Sequence, residues 1–154
     1  MMDIAMRIVF VSLLALTQVL AADAAPARKS DVDLPGHSGK PVLLFFFAPD
    51  NPETAAALKA MAKLQQDFPG GKLAVIGVVP PGTREKQWMA ALKSGGANFP
   101  VLQDKDNTLE QQCRVLGLPH VSVLDKNHRI AEWWPGYHPL YEPMIKRALK
   151  SVLR

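Results

Sequence analysis

The residues of this chain with types suited to chemistry fall in two places. The first is Asp50-Asn51-Pro52-Glu53-Thr54, directly after the apolar run Pro41 to Phe47. Asn51 is a good helix N-cap, and Pro52 suits a first helical position, where its missing N–H would have no partner. Glu53 then stands where the positive end of the helix dipole favours a carboxylate. The free N–H groups of such a helix start stabilise an anion or a thiolate. That geometry suits a nucleophile, yet no thiol is there. The second place is Cys113, the only cysteine, with His120 a few residues on.

One cysteine excludes an intramolecular disulfide. Cys113 has two readings. It is a peroxidatic or mixed-disulfide thiol, or it is a buried small residue of the kind cysteine often is. Only Arg114 lies beside it in sequence as a cation that would lower its pKa. His120 with Asp50 and Glu53 would make a sparse divalent-metal site. The plainer reading is a solvated histidine beside a capped helix, so no metal and no cofactor are expected. His37, His128 and His138 fall in loops. Trp133-Trp134-Pro135-Gly136-Tyr137 is either a partner-binding rim or a core lid with one indole in and one out. No Gly-x-Ser-x-Gly elbow and no phosphate-cradling glycine loop occurs. The net charge of +4 comes without an arginine-rich run or a basic–aromatic interleave, so nucleic acid is not an expected partner.

These residues need elements to position them. Pro41 to Phe47 is continuously apolar, which predicts a strand buried on both faces. A helix from Pro52 to Phe68 follows, with Ala57, Met61, Leu64 and Phe68 as its core stripe. Lys72 to Val79 predicts a second buried strand. Thr83 caps a helix to Ser94, with Trp88 and Leu92 on one face and Gly95-Gly96 as its stop. Phe99 to Leu102 is a short extended piece. Asn107 or Thr108 opens a helix carrying Leu109, Cys113 and Leu116, which Gly117-Leu118-Pro119 breaks. His120–Leu124 and Arg129–Trp134 form a hairpin, and a last helix runs from about Pro139 to Leu153, with Tyr141, Ile145, Ala148 and Val152 inward. The order β-α-β-α-(β)-α-β-β-α predicts an α/β fold with parallel units early and an antiparallel pair late.

The N-terminus reads differently. Arg7, the apolar stretch Ile8 to Leu16 and the small residues around Ala22-Asp23-Ala24 match an export leader with cleavage. The apolar run is short for a bilayer span. Residues 1–24 are therefore expected to be a cleaved signal peptide, 25–40 an irregular lead-in and 41–154 one domain. After cleavage no stable membrane span is expected.

The joints of this order carry a resemblance. Leu34, Gly39-Lys40-Pro41-Val42-Leu43-Leu44, Phe47-Ala48, Phe99-Pro100-Val101-Leu102-Gln103-Asp104, Val115-Leu116-Gly117-Leu118-Pro119 and Val123 to Ile130 are similar to the exported thioredoxin-like proteins of the TlpA, ResA and redoxin group. The resemblance spans nearly all of residues 34–153. It implies a thioredoxin fold, a mixed central sheet with helices on both faces, and a periplasmic or otherwise extracytoplasmic location. Redox-active members carry Trp-Cys-x-x-Cys after the first strand. Here Asp50 stands at the tryptophan, and Asn51 and Thr54 at the two cysteines. Disulfide exchange needs a thiolate to attack sulfur, so dithiol activity is not implied. Pro119 matches the family's cis-proline, beside which an extended peptide binds; without the resemblance, Gly117-Leu118-Pro119 is a helix stop. The resemblance thus implies a groove of Asp50, Asn51, Glu53, Thr54, Leu118, Pro119 and His120. The expected function is non-dithiol binding of an envelope polypeptide or redox partner protein. The alternative is a thiol-dependent oxidoreductase acting through Cys113.

Overall fold

The computed structural model describes residues 32–154. The expected leader and the first residues of the lead-in lie outside that range. Five strands and four α-helices follow one another: β1 (Val42–Phe46), α1 (Thr54–Asp67), β2 (Ala74–Val79), α2 (Glu85–Gly95), β3 (Val101–Gln103), α3 (Thr108–Gln112), β4 (His120–Leu124), β5 (Ile130–Pro135) and α4 (Tyr141–Val152). They form one sheet in the order β3-β2-β1-β4-β5. β1 runs parallel to β2, and β2 parallel to β3, while β4 is antiparallel to both β1 and β5. The alternation of early parallel units and a late hairpin therefore holds. This is the thioredoxin fold.

β1 is the central strand, and all five of its residues are buried. Its side chains divide between two cores because alternate residues face opposite sides. Leu43, Phe45 and Phe47 join α1, α2, α4, Val121, Val123 and Trp134 on one side. Val42, Leu44 and Phe46 join Val32, Leu34, Cys113 and Leu124 on the other. The described part of the lead-in is thus part of the fold: Val32 and Leu34 are buried, and Val32 N–H donates to the His128 carbonyl at 3.1 Å. Strand alternation also sorts the tryptophans. Trp134 is buried in the first core, while Trp133 is 48% exposed on the opposite side.

Several helix ends differ from the sequence reading, each for a local reason. α1 begins at Thr54 rather than Pro52, because residues 51–53 form a turn. Thr54 N–H donates to Asn51 O at 3.0 Å, and the Asn51 side-chain oxygen accepts from Glu53 N–H at 2.9 Å. That is the Asx-turn pattern competing with helix. α3 stops at Gln112, so Cys113 sits at its C-cap and not inside it, and Leu116 is 88% exposed rather than on a buried stripe. Arg114 takes the left-handed conformation (φ 54°), Arg114 N–H donates to Gln111 O, and Val115 N–H to Glu110 O. This is a Schellman ending, usually signalled by glycine. Here arginine fills that position, so the stop left no mark in the sequence. The start of α3 is held by Asp104, whose two carboxylate oxygens accept from Leu109 and Glu110 N–H at 3.1 and 2.9 Å, not by the side chain of Asn107 or Thr108. Likewise Thr83 does not cap α2: its hydroxyl donates to Pro80 O, and Arg84 occupies the cap.

Candidate functional site

The carboxyl end of β1 leads through Ala48-Pro49 into the turn before α1. There the residues at the two cysteine positions of the redox pattern behave as structural ties. Asn51 Nδ2 donates to Leu118 O at 3.0 Å, across 67 residues of sequence, while its Oδ1 takes Glu53 N–H. Both polar atoms of the amide are used internally. Thr54, 1% exposed, donates its hydroxyl to Ala48 O at 2.7 Å and so closes the turn from within. Pro119 follows a cis peptide bond, and its carbonyl accepts from Gly136 N–H at 2.8 Å. A side-chain carbon added at Gly136 would lie 4.0 Å from Glu53 Oε2. The first turn of α1, the 118–119 loop and the segment after β5 therefore meet at one place. Asp50, Pro52 and Glu53 are exposed there, Leu118 is half-buried and Pro119 buried.

His120 does not join that surface. It is fully buried, and this corrects the expectation of a solvated groove histidine. In β4 it shares a side with Ser122 and Leu124, the face away from α1. Its Nε2 is 3.1 Å from Ser122 Oγ, and its Nδ1 is enclosed without a partner. The ring meets Phe46 edge-on and is stacked by Trp133 at 5.7 Å. Burial alone pushes its pKa down to about 4, so it is neutral at pH 7. Among the described residues no three His, Cys, Asp or Glu side chains are grouped to hold a metal ion.

Cys113 belongs to the same interior, 1% exposed. Burial raises its pKa to about 12; a hydrogen bond with Ser122 works against that shift, and the Asp104 charge adds to it. A thiol so placed is protonated at physiological pH and has no access to solvent. The nucleophile is the thiolate, so both its burial and this shift work against reaction at Cys113.

The residues that sequence reasoning missed lie beside the α1 start, on α2. An open cleft of about 480 Å³ is walled by Pro49, Pro52, Ala55 and Leu58 on one side and by Gln87, Ala90, Ala91 and Ser94 on the other. Asp50, Asn51 and Thr54 also line it. Its origin is local. A methyl group on Gly95 would fall 2.5 Å from Leu58 Cβ, so the two helices touch closely at that point. Farther along, alanines on both helices leave the space unfilled. The signal in the sequence was the run of small residues at 55–57 and 90–91, which alone reads as ordinary helix former.

Comparison with known proteins agrees with this fold. Residues 17–133 match the model of the AhpC/TSA family. The chain belongs to the AhpC/TSA family. Among solved structures, a candidate thiol:disulfide interchange protein DsbE from Chlorobium tepidum superposes with a TM-score of 0.68 at 19% identity, over 77% of this chain and 83% of the other. A secreted Mycobacterium tuberculosis disulfide oxidoreductase homologous to E. coli DsbE gives 0.60 at 14% identity, over 74% and 83%. StoA from Bacillus subtilis gives 0.59 at 15%, over 72% and 83%. At these identities the likeness is one of fold. A search of the curated proteins found no match. Among the described residues no helix is long and apolar enough to cross a membrane.

Proposed function

We propose that this family member is an exported, non-dithiol accessory protein that binds a polypeptide of the cell envelope, or a redox partner protein, at the start of α1. The leader pattern of residues 1–24 supports export to the periplasm or an equivalent compartment. The observation that carries the binding role is the Asn51–Leu118 bond, which holds the helix start against the 118–119 loop without a thiol. Asp50, Pro52, Glu53 and Leu118 offer the binding surface. Asn51 and Thr54 hold its shape, and Pro119 ties it to Gly136. The Leu118 and Pro119 carbonyls each hold one partner and keep a second lone pair for an extended peptide, while the exposed side chains would tune selectivity. Redox action through Cys113 has the weaker support, since that thiol is enclosed on the face away from α1.

The test is disulfide-reductase activity on a generic protein disulfide, measured for the mature protein beside Cys113→Ser. Equal, background-level rates are expected. Activity in the wild type that disappears in the variant overturns the reading and makes Cys113 the centre.

A further inference from the structure

The cleft between α1 and α2 combines apolar walls with a single charge. Ala55, Leu58, Ala90 and Ala91 make its walls apolar, while Asp50 is the only charged residue that lines it. Nothing basic faces that carboxylate there. The Asn51 amide is engaged elsewhere, and Gln87 uses its side-chain oxygen on Arg84 N–H at 3.1 Å. The cleft therefore offers an apolar trough and one unpaired negative charge.

The sign of the site decides its occupant. The α1 dipole amounts to roughly half a positive charge at its first turn, which by itself favours an anion. Asp50 supplies a full negative charge, and Glu53 at the same helix start a second. The carboxylates outweigh the dipole. An occupant that satisfies both walls and charge has an aliphatic stem with a cationic end, because long basic side chains bury their methylenes along apolar surface and keep the head beside a counter-charge. We infer that this cleft is a specificity subsite for a lysine or arginine side chain of the bound polypeptide, with the stem between Ala55 and Ala90-Ala91 and the cation on Asp50. This inference rests on the polypeptide-binding reading above and adds to it the chemistry of the partner.

Three probes test it: the acetylated tripeptide amides Ala-Lys-Ala, Ala-norleucine-Ala and Ala-Glu-Ala, each titrated into the ¹⁵N-labelled full chain while amide shifts are followed. The lysine peptide should shift the amides of Ala55, Ala90 and Ala91 and bind at least about five-fold more tightly than norleucine, a factor an exposed charge pair of up to 1 kcal/mol can supply. Asp50→Asn should reduce that ratio to near one, as should high salt. Ala90→Phe, which fills the trough, should remove binding of both while leaving the remaining spectrum in place. Equal binding of lysine and norleucine overturns the cationic subsite and leaves polypeptide binding standing. Preference for glutamate overturns it in favour of the helix dipole. Shifts from none of the peptides in this cleft overturn the inference. Failure of the polypeptide-binding reading is recognised separately, by crosslinking of the mature protein in its own envelope yielding no adduct from photo-reactive groups at Asp50 or Glu53.

Discussion

His120 should make the protein acid-labile over a defined interval. Its imidazole is enclosed among Phe46, Ser122 and Trp133, and burial holds its pKa near 4 against 6.5 for the free side chain. Above pH 6.5 both folded and unfolded chains carry it neutral, and it exerts no acid penalty. As the pH falls from 6.5 toward 4, the unfolded chain takes up a proton that the folded chain refuses, so stability is lost through this window. At 1.36 kcal/mol per pH unit, the loss is about 2 kcal/mol at pH 5 and approaches roughly 3 kcal/mol below pH 4. His120→Phe removes the titrating group while keeping an aromatic ring between Phe46 and Trp133. It forfeits the Ser122 hydrogen bond, at about 1 kcal/mol. The assay is urea unfolding of both proteins at pH 7, 6, 5 and 4.5. Carboxylates that also titrate at the acid end are common to the two and cancel in the difference. The variant should be the less stable at pH 7 and the more stable by pH 5. Parallel loss in both proteins between pH 6.5 and 4.5 would refute the account, and with it the placement of a neutral, proton-refusing His120 in the interior.

Three further outcomes are expected. With its pKa near 12, Cys113 holds about one thiolate per 10⁵ molecules at pH 7, so an alkylating reagent should label it only after denaturation; rapid labelling of the native protein would contradict its burial. Gly95→Ala should destabilise by about 1–2 kcal/mol, since the overpacking against Leu58 Cβ exceeds the gain of about 1 kcal/mol in helix propensity, and a thermal midpoint equal to or above wild type would argue against the close α1–α2 contact. Asn51→Ala removes the ties to Leu118 O and Glu53 N–H and should cost about 2 kcal/mol in urea unfolding, whereas an exposed polar residue without such bonds would change stability by less than about 0.5 kcal/mol.

Much of the architecture was legible because it rests on local pattern. The continuous apolar runs of β1 and β2 read as strands covered on both faces, and the period of α4 placed Ile145 and Ala148 inward, where they are buried. The pleat offered the separation of Trp133 from Trp134 as one of two readings, and the structure has it. A single cysteine by itself excludes dithiol exchange within this chain. Helix ends were legible where glycine marked them, as at Gly96, which is left-handed in the structure. The end of α3 was not, because Arg114 adopts the same backbone without announcing it.

The amino-acid order by itself thus determined the fold class, the strand-to-helix joint at residues 47–54 and the loss of its dithiol, since each depends on residue type and short-range spacing. What each candidate side chain does was decided only by tertiary structure. His120 lies two residues past Leu118, yet strand direction turns its ring into the interior, while the Leu118 carbonyl stays at the α1 start and receives the Asn51 amide. Cys113 is buried because a left-handed turn and the second core enclose it, not because of its sequence neighbours. The cleft that Asp50 lines exists only where α1 and α2, brought together at Leu58 and Gly95, diverge over their alanines. Such properties belong to pairs of elements far apart in the chain. Burial, pKa and cavity shape depend on what packs against a residue, and a one-dimensional pattern does not record that.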